Sequence, residues 1–526
     1  MARSKVKICA CCALLLLCAL TVIVCVSVLV GKKCPEGAFP RAAVAADSGR
    51  CSRVGLDILR SGGSAVDGAI AALLCTSLVN PQSMGLGGGT ILTVMNSTGH
   101  VTVINAREAA PRSSKPRLLD SCPQRFRLLP GVEWVAVPGE IRGYEEAHKL
   151  FGRLPWATLF QPTIRLAREG LPIPKTLGRY LSTFNWTNQA PLRNLFSDKD
   201  GNLLKTGDVV KFQKLADTLE IIAKGRRSRL LPRAHRRRFA AGGTLTAEDL
   251  AAFRAVVTDA WSVPLGEFQL YFPPPPAGGA TVAFIMNILK GFELNSTDLE
   301  GHRRTVAYHR YAEALKFANS FRKNIRDPAL SPDSEVRKGM EESFSDHIRS
   351  LIWSNATHDP QYYNITPSAE GMGTTQVSVL AEDGTAVSAT SSLNHIFGSG
   401  VFSPRTGIIL NNQLADFCRR ASRIVPGDRP PSSMAPSVLK SPSKTLVIGS
   451  TGGSMIPAAM VSMLMNHLWF GKNLKDSIAA PILFVDSETA VNFEPNFDKH
   501  KRLNLHDGAL TSRRTTASCA KMSAIC

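Results

Sequence analysis

The residue pattern predicts an α/β fold, on three observations. Short apolar runs rich in Val and Ile recur along the chain with the alternation of half-buried strands. Amphipathic or small-residue-rich stretches of helical period fall between them. A hairpin pattern runs from Gly373 to Asn394, with alternating Val377 and Val379, a turn at Glu382-Asp383-Gly384 and a second run at Thr385-Ala386-Val387. At 526 residues, 44% hydrophobic and 20% charged, the chain is globular, with two or three domains or one large domain carrying insertions.

The first thirty residues stand apart. Arg3, Lys5 and Lys7 precede an apolar run, Ile8 to Val30, long enough to cross a bilayer as one helix, and Lys32 and Lys33 close it. A cleaved signal peptide shares the positive start and the apolar centre. The length of the run and the lack of a small-x-small cleavage site favour an uncleaved signal anchor. Positive-inside counting puts residues 1–7 in the cytosol and the bulk of the chain outside, as a single-pass type II protein of the plasma membrane. Cys9, Cys11 and Cys12 read equally as palmitoylation sites or as apolar filler. Five N-x-Ser/Thr sequons, at Asn96, Asn185, Asn295, Asn355 and Asn364, point to a glycosylated ectodomain. Seven cysteines follow the apolar run: Cys34, Cys51, Cys75, Cys122, Cys418, Cys519 and Cys526. The odd number leaves at least one without an intrachain partner; their spacing matches no zinc pattern, and no metal or cofactor motif is present.

The formal charge of +20 invites a nucleic-acid or anionic-surface partner, and its distribution argues against one. Eight Lys/Arg lie in Lys224 to Arg238 and six in the tail from Lys499, and without these two segments the net charge is +7. The basic residues also lack interleaved aromatics. Lys224 to Arg238 interrupts a helical pattern and has three readings: a solvated loop, a heparin or anionic-lipid site, or a helix replaced through a shifted reading frame.

Taken in order, Ala42 to Ser48 reads as a buried strand and Ser52 to Arg60 as an amphipathic helix stopped by Ser61-Gly62-Gly63. Ser64 to Val79 reads as an apolar helix with Asp67 in its first turn. Cys51 and Cys75 flank this pair, so a disulfide closing the unit fits. Met84 to Thr90, MGLGGGT, has neither nucleotide-binding spacing, and close backbone packing accounts for its glycines better. Strands follow at Ile91 to Met95 and Val101 to Asn105, the second leading to Arg107. An arginine there suits bidentate carboxylate recognition or a surface salt bridge. Pro155 and Pro162 suit the first turns of helices between Arg142 and Gly170. Phe272 to Ala280, FPPPPAGGA, reads as an ordered loop at a domain face, with helices at Thr281 to Lys290 and Val306 to Phe321.

Three clusters follow the hairpin. Gly407 to Gln413 runs as a strand into amides with Asp416 beyond; Ser432 and Ser433 lie between prolines; Leu446 to Gly449 is a strand entering Ser450-Thr451-Gly452-Gly453-Ser454. A strand running into Gly-Gly and then a helix offers backbone N–H groups to an oxyanion. With Thr374 at the hairpin entrance, the set comprises a hydroxyl nucleophile, acid and amide groups for an ammonium, a carboxylate clamp and an oxyanion hole.

From Arg41 to about Phe497 the chain resembles the gamma-glutamyltransferases, membrane-anchored glutathione hydrolases of the N-terminal nucleophile class. The resemblance rests on MGLGGG, INARE, the GTT-x-x-SV hairpin, ILNNQ-x-x-DF, PSSM and the GG turn, in the family's order. NPQSMGLGGG, PPPPAGGA and SPRTGIILNN resemble its type 5 branch, which acts on glutathione and cysteinyl leukotrienes. The resemblance implies an αββα sandwich and self-cleavage between Gly373 and Thr374, giving a large subunit (31–373) and a small one (374–526). Thr374 would be the nucleophile, Ser392 its hydroxyl partner, and Gly452 and Gly453 the oxyanion donors. Arg107, Ser432 and Ser433 would hold the substrate's α-carboxylate, and Asn394, Gln413 and Asp416 its α-ammonium. Gln376 replaces a usual histidine. Two departures are the basic segment and the tail from about 498, where a missing strand would expose a sheet edge and apolar core. The leading reading is an ectoenzyme passing the glutamyl group of glutathione or its S-conjugates to water or an acceptor amine. The alternative is a non-catalytic membrane glycoprotein of the same fold that never matures.

Overall fold

The computed structural model describes residues 41–123, 128–187, 189–225, 243–365, 373–486 and 489–497, and the backbone of 512–514 and 522–525. The apolar run Ile8 to Val30, all of the basic segment beyond Gly225, and Cys34, Cys519 and Cys526 lie outside the described residues.

Period-two alternation along the central hairpin separates two chemistries. Val377 and Val379 on one strand and Val387 and Ala389 on the other are fully buried on one face, while Thr374, Gln376, Ser378, Ser388, Thr390 and Ser392 share the opposite face. Apolar helices cover the first face, and a second sheet covers the polar one.

The first strands and helices are β1 (Ala43–Ala46), α1 (Gly49–Arg60), α2 (Ala65–Val79), β2 (Gly89–Met95) and β3 (Val101–Ala106). After them come α3 (Glu140–Phe151), α4 (Trp156–Glu169), α5 (Gln213–Lys224), α6 (Ala247–Ala252), β4 (Val256–Asp259), β5 (Trp261–Leu265), β6 (Phe268–Phe272), α7 (Gly279–Lys290) and α8 (Gly301–Phe321). The hairpin is β7 (Gly373–Leu380) and β8 (Ala386–Asn394), followed by β9 (Ser437–Lys440), β10 (Thr445–Ser450) and α9 (Ile456–Leu464). The chain ends with β11 (Leu483–Val485), β12 (Val491–Phe493), β13 (Ser512–Arg514) and β14 (Met522–Ile525).

One antiparallel sheet has the order β1-β7-β8-β2-β3-β4, so the hairpin occupies its middle. The facing sheet is β14-β10-β9-β6-β5, also antiparallel. Helices α1 to α5 form one core with the first sheet, and α7 to α9 form another with the second. Met95, Val101, Ala386, Val438 and Val447 join the sheets between them. The result is a four-layer αββα sandwich.

Local chemistry sets the helix that underlies the hairpin. Ser64 and Asp67 form a reciprocal capping box at the start of α2, and Asp67 also accepts the backbone N–H groups of Arg153 and Leu154 at 2.8 and 3.0 Å. Every residue of α2 is buried, and the Cys51–Cys75 disulfide ties it to α1. The glycines after it are spaces for backbone: a Cβ on Gly88 would lie 2.2 Å from the Ser392 carbonyl oxygen. A second disulfide, Cys122–Cys418, joins residues 296 apart.

Four expectations change. Pro162 lies inside α4, beyond its first turn; the buried face of Leu159, Phe160, Thr163 and Ile164 carries the helix across the lost backbone bond. β1 is an edge strand with only Ala43 buried. The strand after Gly407 covers only Ile408–Ile409 before the chain turns into a short 3₁₀ helix, Gln413–Phe417. The divergent tail, expected to lack a strand and leave a sheet edge exposed, supplies β14, which pairs with β10 from Val447↔Ile525 to Ser450↔Met522.

Deleting residues 522–526 removes that ladder. Its few backbone hydrogen bonds, at about 1 kcal/mol each, predict a loss of about 2–4 kcal/mol and a lower melting temperature, measurable by thermal denaturation.

Candidate active site

Thr374 is the second residue of β7 and lies opposite Ser392 of β8. Their hydroxyl oxygens are 3.4 Å apart. The Ser392 hydroxyl donates to the carbonyl oxygen of Gly373 and accepts the backbone N–H of Asn394 at 2.8 Å. A bulge between Ser392 and Asn394 breaks the register, and Asn394 takes a left-handed conformation (φ 76°) that turns the chain out of the strand. The hydroxyl partner thereby polarises the carbonyl that precedes Thr374.

A cavity of about 30 Å³ opens beside Thr374, lined by Arg107, Ser392, Asn394, Gln413, Asp416, Ser432, Ser433 and Gly453 among others. Nine of the ten residues singled out from the sequence are brought together there. Gly452 adjoins the wall; it and Gly453 take left-handed conformations (φ 111° and 60°) and turn β10 into the short helix Gly453–Met455 and then α9.

Arg107 follows β3 and is 2% exposed. Its guanidinium donates to Asp416 and to the carbonyls of Pro430 and Pro431, both at 3.2 Å. The surface-salt-bridge reading is therefore excluded: this is a buried ion pair whose partners are desolvated and satisfied in advance. Ser432 and Ser433 are held from behind by the polyproline loop, with Ser432 N–H donating to the Pro276 carbonyl and Gly278 N–H to that of Met434, each at 2.8 Å. Arg322 donates to the Ser433 hydroxyl at 2.7 Å.

The amides beside Asp416 divide by role. Asn411 accepts the N–H of Ala136 and donates to the carbonyls of Gly87 and Ala136, while Asn412 accepts from His395 N–H and donates to the Leu129 carbonyl. Both fasten loops. Gln413 differs, since its side-chain oxygen and nitrogen are buried without a partner in hydrogen-bonding geometry. That leaves an amide to meet a polar ligand.

Two carboxyls that the sequence did not single out lie beneath the site. Burial pushes Glu108 up to about 7 against the pull of the adjacent Arg107. Burial likewise raises Glu140 to about 8, opposed by hydrogen bonds from the Tyr144 and Ser391 hydroxyls. Glu108 could have been found beside Arg107 in INARE; nothing in the sequence marks Glu140. His395 does not line the cavity; burial lowers it to about 4, and its Nδ1 accepts the Leu129 N–H at 3.2 Å.

Four layers with a hydroxyl residue at the head of a central strand, facing a cleft between the sheets, define an N-terminal nucleophile hydrolase. The family model for gamma-glutamyltranspeptidase matches residues 51–526. The chain is 46% identical over 499 residues to glutathione hydrolase 5 proenzyme of Rattus norvegicus, covering 90% of this chain and 86% of the relative. With the Homo sapiens protein of the same name it is 45% identical over 517 residues, covering 90% and 87%. Among solved structures, the cephalosporin acylase from Bacillus halodurans superposes with a TM-score of 0.80 at 26% identity, covering 92% and 93% of the two chains. This chain belongs to the gamma-glutamyltranspeptidase family.

The raised carboxyl at Glu140 has a signed consequence. The folded chain keeps a proton that the unfolded chain releases near 4.5, so this contribution to stability is complete below pH 4.5 and is lost as pH rises through about 8. Glu140→Gln is expected to flatten the fall in melting temperature between pH 5 and 8, by an amount worth about 2–4 kcal/mol. Thermal melts across that range check it.

Proposed function

We propose that the protein is a gamma-glutamyltransferase and glutathione hydrolase that cleaves itself between Gly373 and Thr374 and then uses Thr374 as its nucleophile. The Ser392 hydroxyl carries this reading, because it donates to the Gly373 carbonyl while standing 3.4 Å from the Thr374 oxygen. Attack of Thr374 Oγ1 on the Gly373 carbonyl carbon converts the amide to an ester; water then hydrolyses the ester, leaving the Gly373 carboxylate and a free Thr374 amine. That amine titrates near 7.7–8.0 as a reference value and accepts the hydroxyl proton in later turnovers. His395, kept neutral and bonded to backbone, leaves that task to the amine.

In turnover, Thr374 Oγ1 attacks the γ-glutamyl carbonyl carbon, and the backbone N–H groups of Gly452 and Gly453 stabilise the oxyanion. The proton leaves with the departing amine, and water or an acceptor amine takes the glutamyl group from the ester. Arg107, Ser432 and Ser433 hold the α-carboxylate, and Asn394, Gln413 and Asp416 hold the α-ammonium. The Arg107–Asp416 pair suits this task, as each partner exchanges its internal counter-ion for one end of the zwitterion. Glutathione and its S-conjugates, cysteinyl leukotrienes included, are the substrates.

The cleaved chains remain together as a large and small subunit, since β7 and β8 lie between β1 and β2 in one sheet. Ile8 to Val30 anchors the protein in the plasma membrane with residues 1–7 cytosolic and the catalytic domain outside. Exposed sequon asparagines support that side assignment: Asn185, Asn295, Asn355 and Asn364 are exposed and Asn96 is half-buried. Among the described residues no helix is long and apolar enough to cross a membrane, and the anchor run lies outside them.

Thr374→Ala is expected to leave one uncut chain on a denaturing gel and to release no glutamate from glutathione; a cut or active variant contradicts the assignment. Arg107→Ala is expected to spare self-cleavage and raise KM about 10-fold or more, the loss of a charge-assisted carboxylate contact. An unchanged KM removes it from the clamp.

A further inference from the structure

Gln376 lies two residues beyond Thr374 on the same face of β7, and it is completely buried between the sheets. A polar face at that depth is tolerated only where each group finds a partner. Its partners form a chain with one direction. The Thr390 hydroxyl donates to the Gln376 side-chain oxygen at 2.6 Å. The Gln376 Nε2 donates to the Ser388 oxygen at 2.9 Å and also to its neighbour's Val377 carbonyl at 3.1 Å. The Ser388 hydroxyl spends its own proton on the Ile448 carbonyl in β10, at 2.8 Å.

The direction is forced. Ser388 has one proton, given to β10, so it can only accept from residue 376, and the amide oxygen left on the other side takes the Thr390 proton. Residue 376 must therefore donate on one side and accept on the other at the same time. The packing is as specific as the bonding: a Cβ on Gly449 would lie 2.2 Å from the Gln376 amide, so the amide fills the space a side chain would take on β10. β10 leads directly into Gly452 and Gly453. One side chain thus joins the strand bearing Thr374 to the strand bearing the glycine turn.

We propose that Gln376 is a positioning residue that sets the Thr374 hydroxyl against the Gly452-Gly453 turn through this donor–acceptor chain. The proposal rests on the catalytic reading above. It names a residue that touches neither substrate nor the reacting atoms and acts through the spacing of two strands, where displacements well below 1 Å cost rate. Its partners on β7, β8 and β10 are hydroxyls, backbone carbonyls and Gly449, none of which titrates, so the bridge itself is insensitive to pH.

Substituted groups that can both donate and accept in only one protonation state expose the role. A neutral imidazole can donate and accept, and an imidazolium can only donate; a carboxylic acid can do both, and a carboxylate can only accept. Gln376→His should therefore lose kcat as pH falls, and Gln376→Glu should lose kcat as pH rises, each by about 10-fold or more relative to the wild type at the unfavourable end. Gln376→Met, which can do neither, should be slow throughout, with KM within about twofold of the wild type. Where a variant matures too slowly for turnover to be measured, its self-cleavage rate against pH replaces kcat, with the same opposite slopes expected. Parallel pH profiles in the His and Glu variants, or a Met variant with wild-type kcat, overturn the proposal. The catalytic reading is tested separately, by glutamate release from the wild type and its loss in Thr374→Ala.

Discussion

The pairing of Thr374 with Ser392 across one hairpin is the constraint that the rest of the molecule serves. The hairpin is held from both sides by sheet neighbours and from both faces by layers of different chemistry. On the helix side, Val377, Val379 and Val387 are each fully buried, a burial worth about 1.5–3 kcal/mol per side chain. On the other side the strands carry hydroxyls and an amide, every one of which must be satisfied. Apolar burial therefore supplies the stability of the hairpin, and the polar face supplies its register, since a slip of one residue would turn valines into the polar interface and hydroxyls into the helical core.

The same logic builds the substrate site. Arg107 and Asp416 are brought together from distant parts of the chain and neutralise each other out of water, so the cost of desolvating them is met in folding and is not charged again to binding. Around them the loops are fastened by Asn411 and Asn412, by the polyproline loop behind Ser432, and by the Cys122–Cys418 disulfide that fixes the end of the Asp416 helix. Gln413 and the Glu108 carboxyl beneath the site make no hydrogen bond of good geometry among the described residues, unlike the loop-fastening amides beside them. A group that is unsatisfied in the folded chain gains most from a ligand.

What was legible in the sequence was local. The helix from Ser64 to Val79 with Asp67 in its first turn, the alternation of the hairpin and the strand running into Gly452-Gly453 each involve residues within a few positions of one another, and each formed. Nine of the ten candidate site residues line one cavity, and they could be named because their motifs follow the order of a family. What escaped was set by long-range packing. Pro162 sits within α4 because a buried face outweighs one lost bond; Cys122 meets Cys418 across most of the chain; Asn411 and Asn412 share a motif with Gln413 yet act as loop fasteners. Glu140 carries no pattern at all, as its raised carboxyl comes from burial beneath a strand on which only the fold places Ser391. The last strand is hidden for the same reason: four residues of unremarkable sequence, Met522–Ile525, pair with a strand far upstream.

The central claim is that Thr374, once freed at its own amine, carries the glutamyl group. Mass spectrometry of the matured protein, quenched in acid during turnover of glutathione and digested, tests it most directly. The account predicts a peptide beginning at Thr374 that gains the mass of one glutamyl group, placed by fragmentation on the threonine side chain. A glutamyl adduct on any other residue, or turnover by a chain in which Gly373 and Thr374 are still joined, would contradict it.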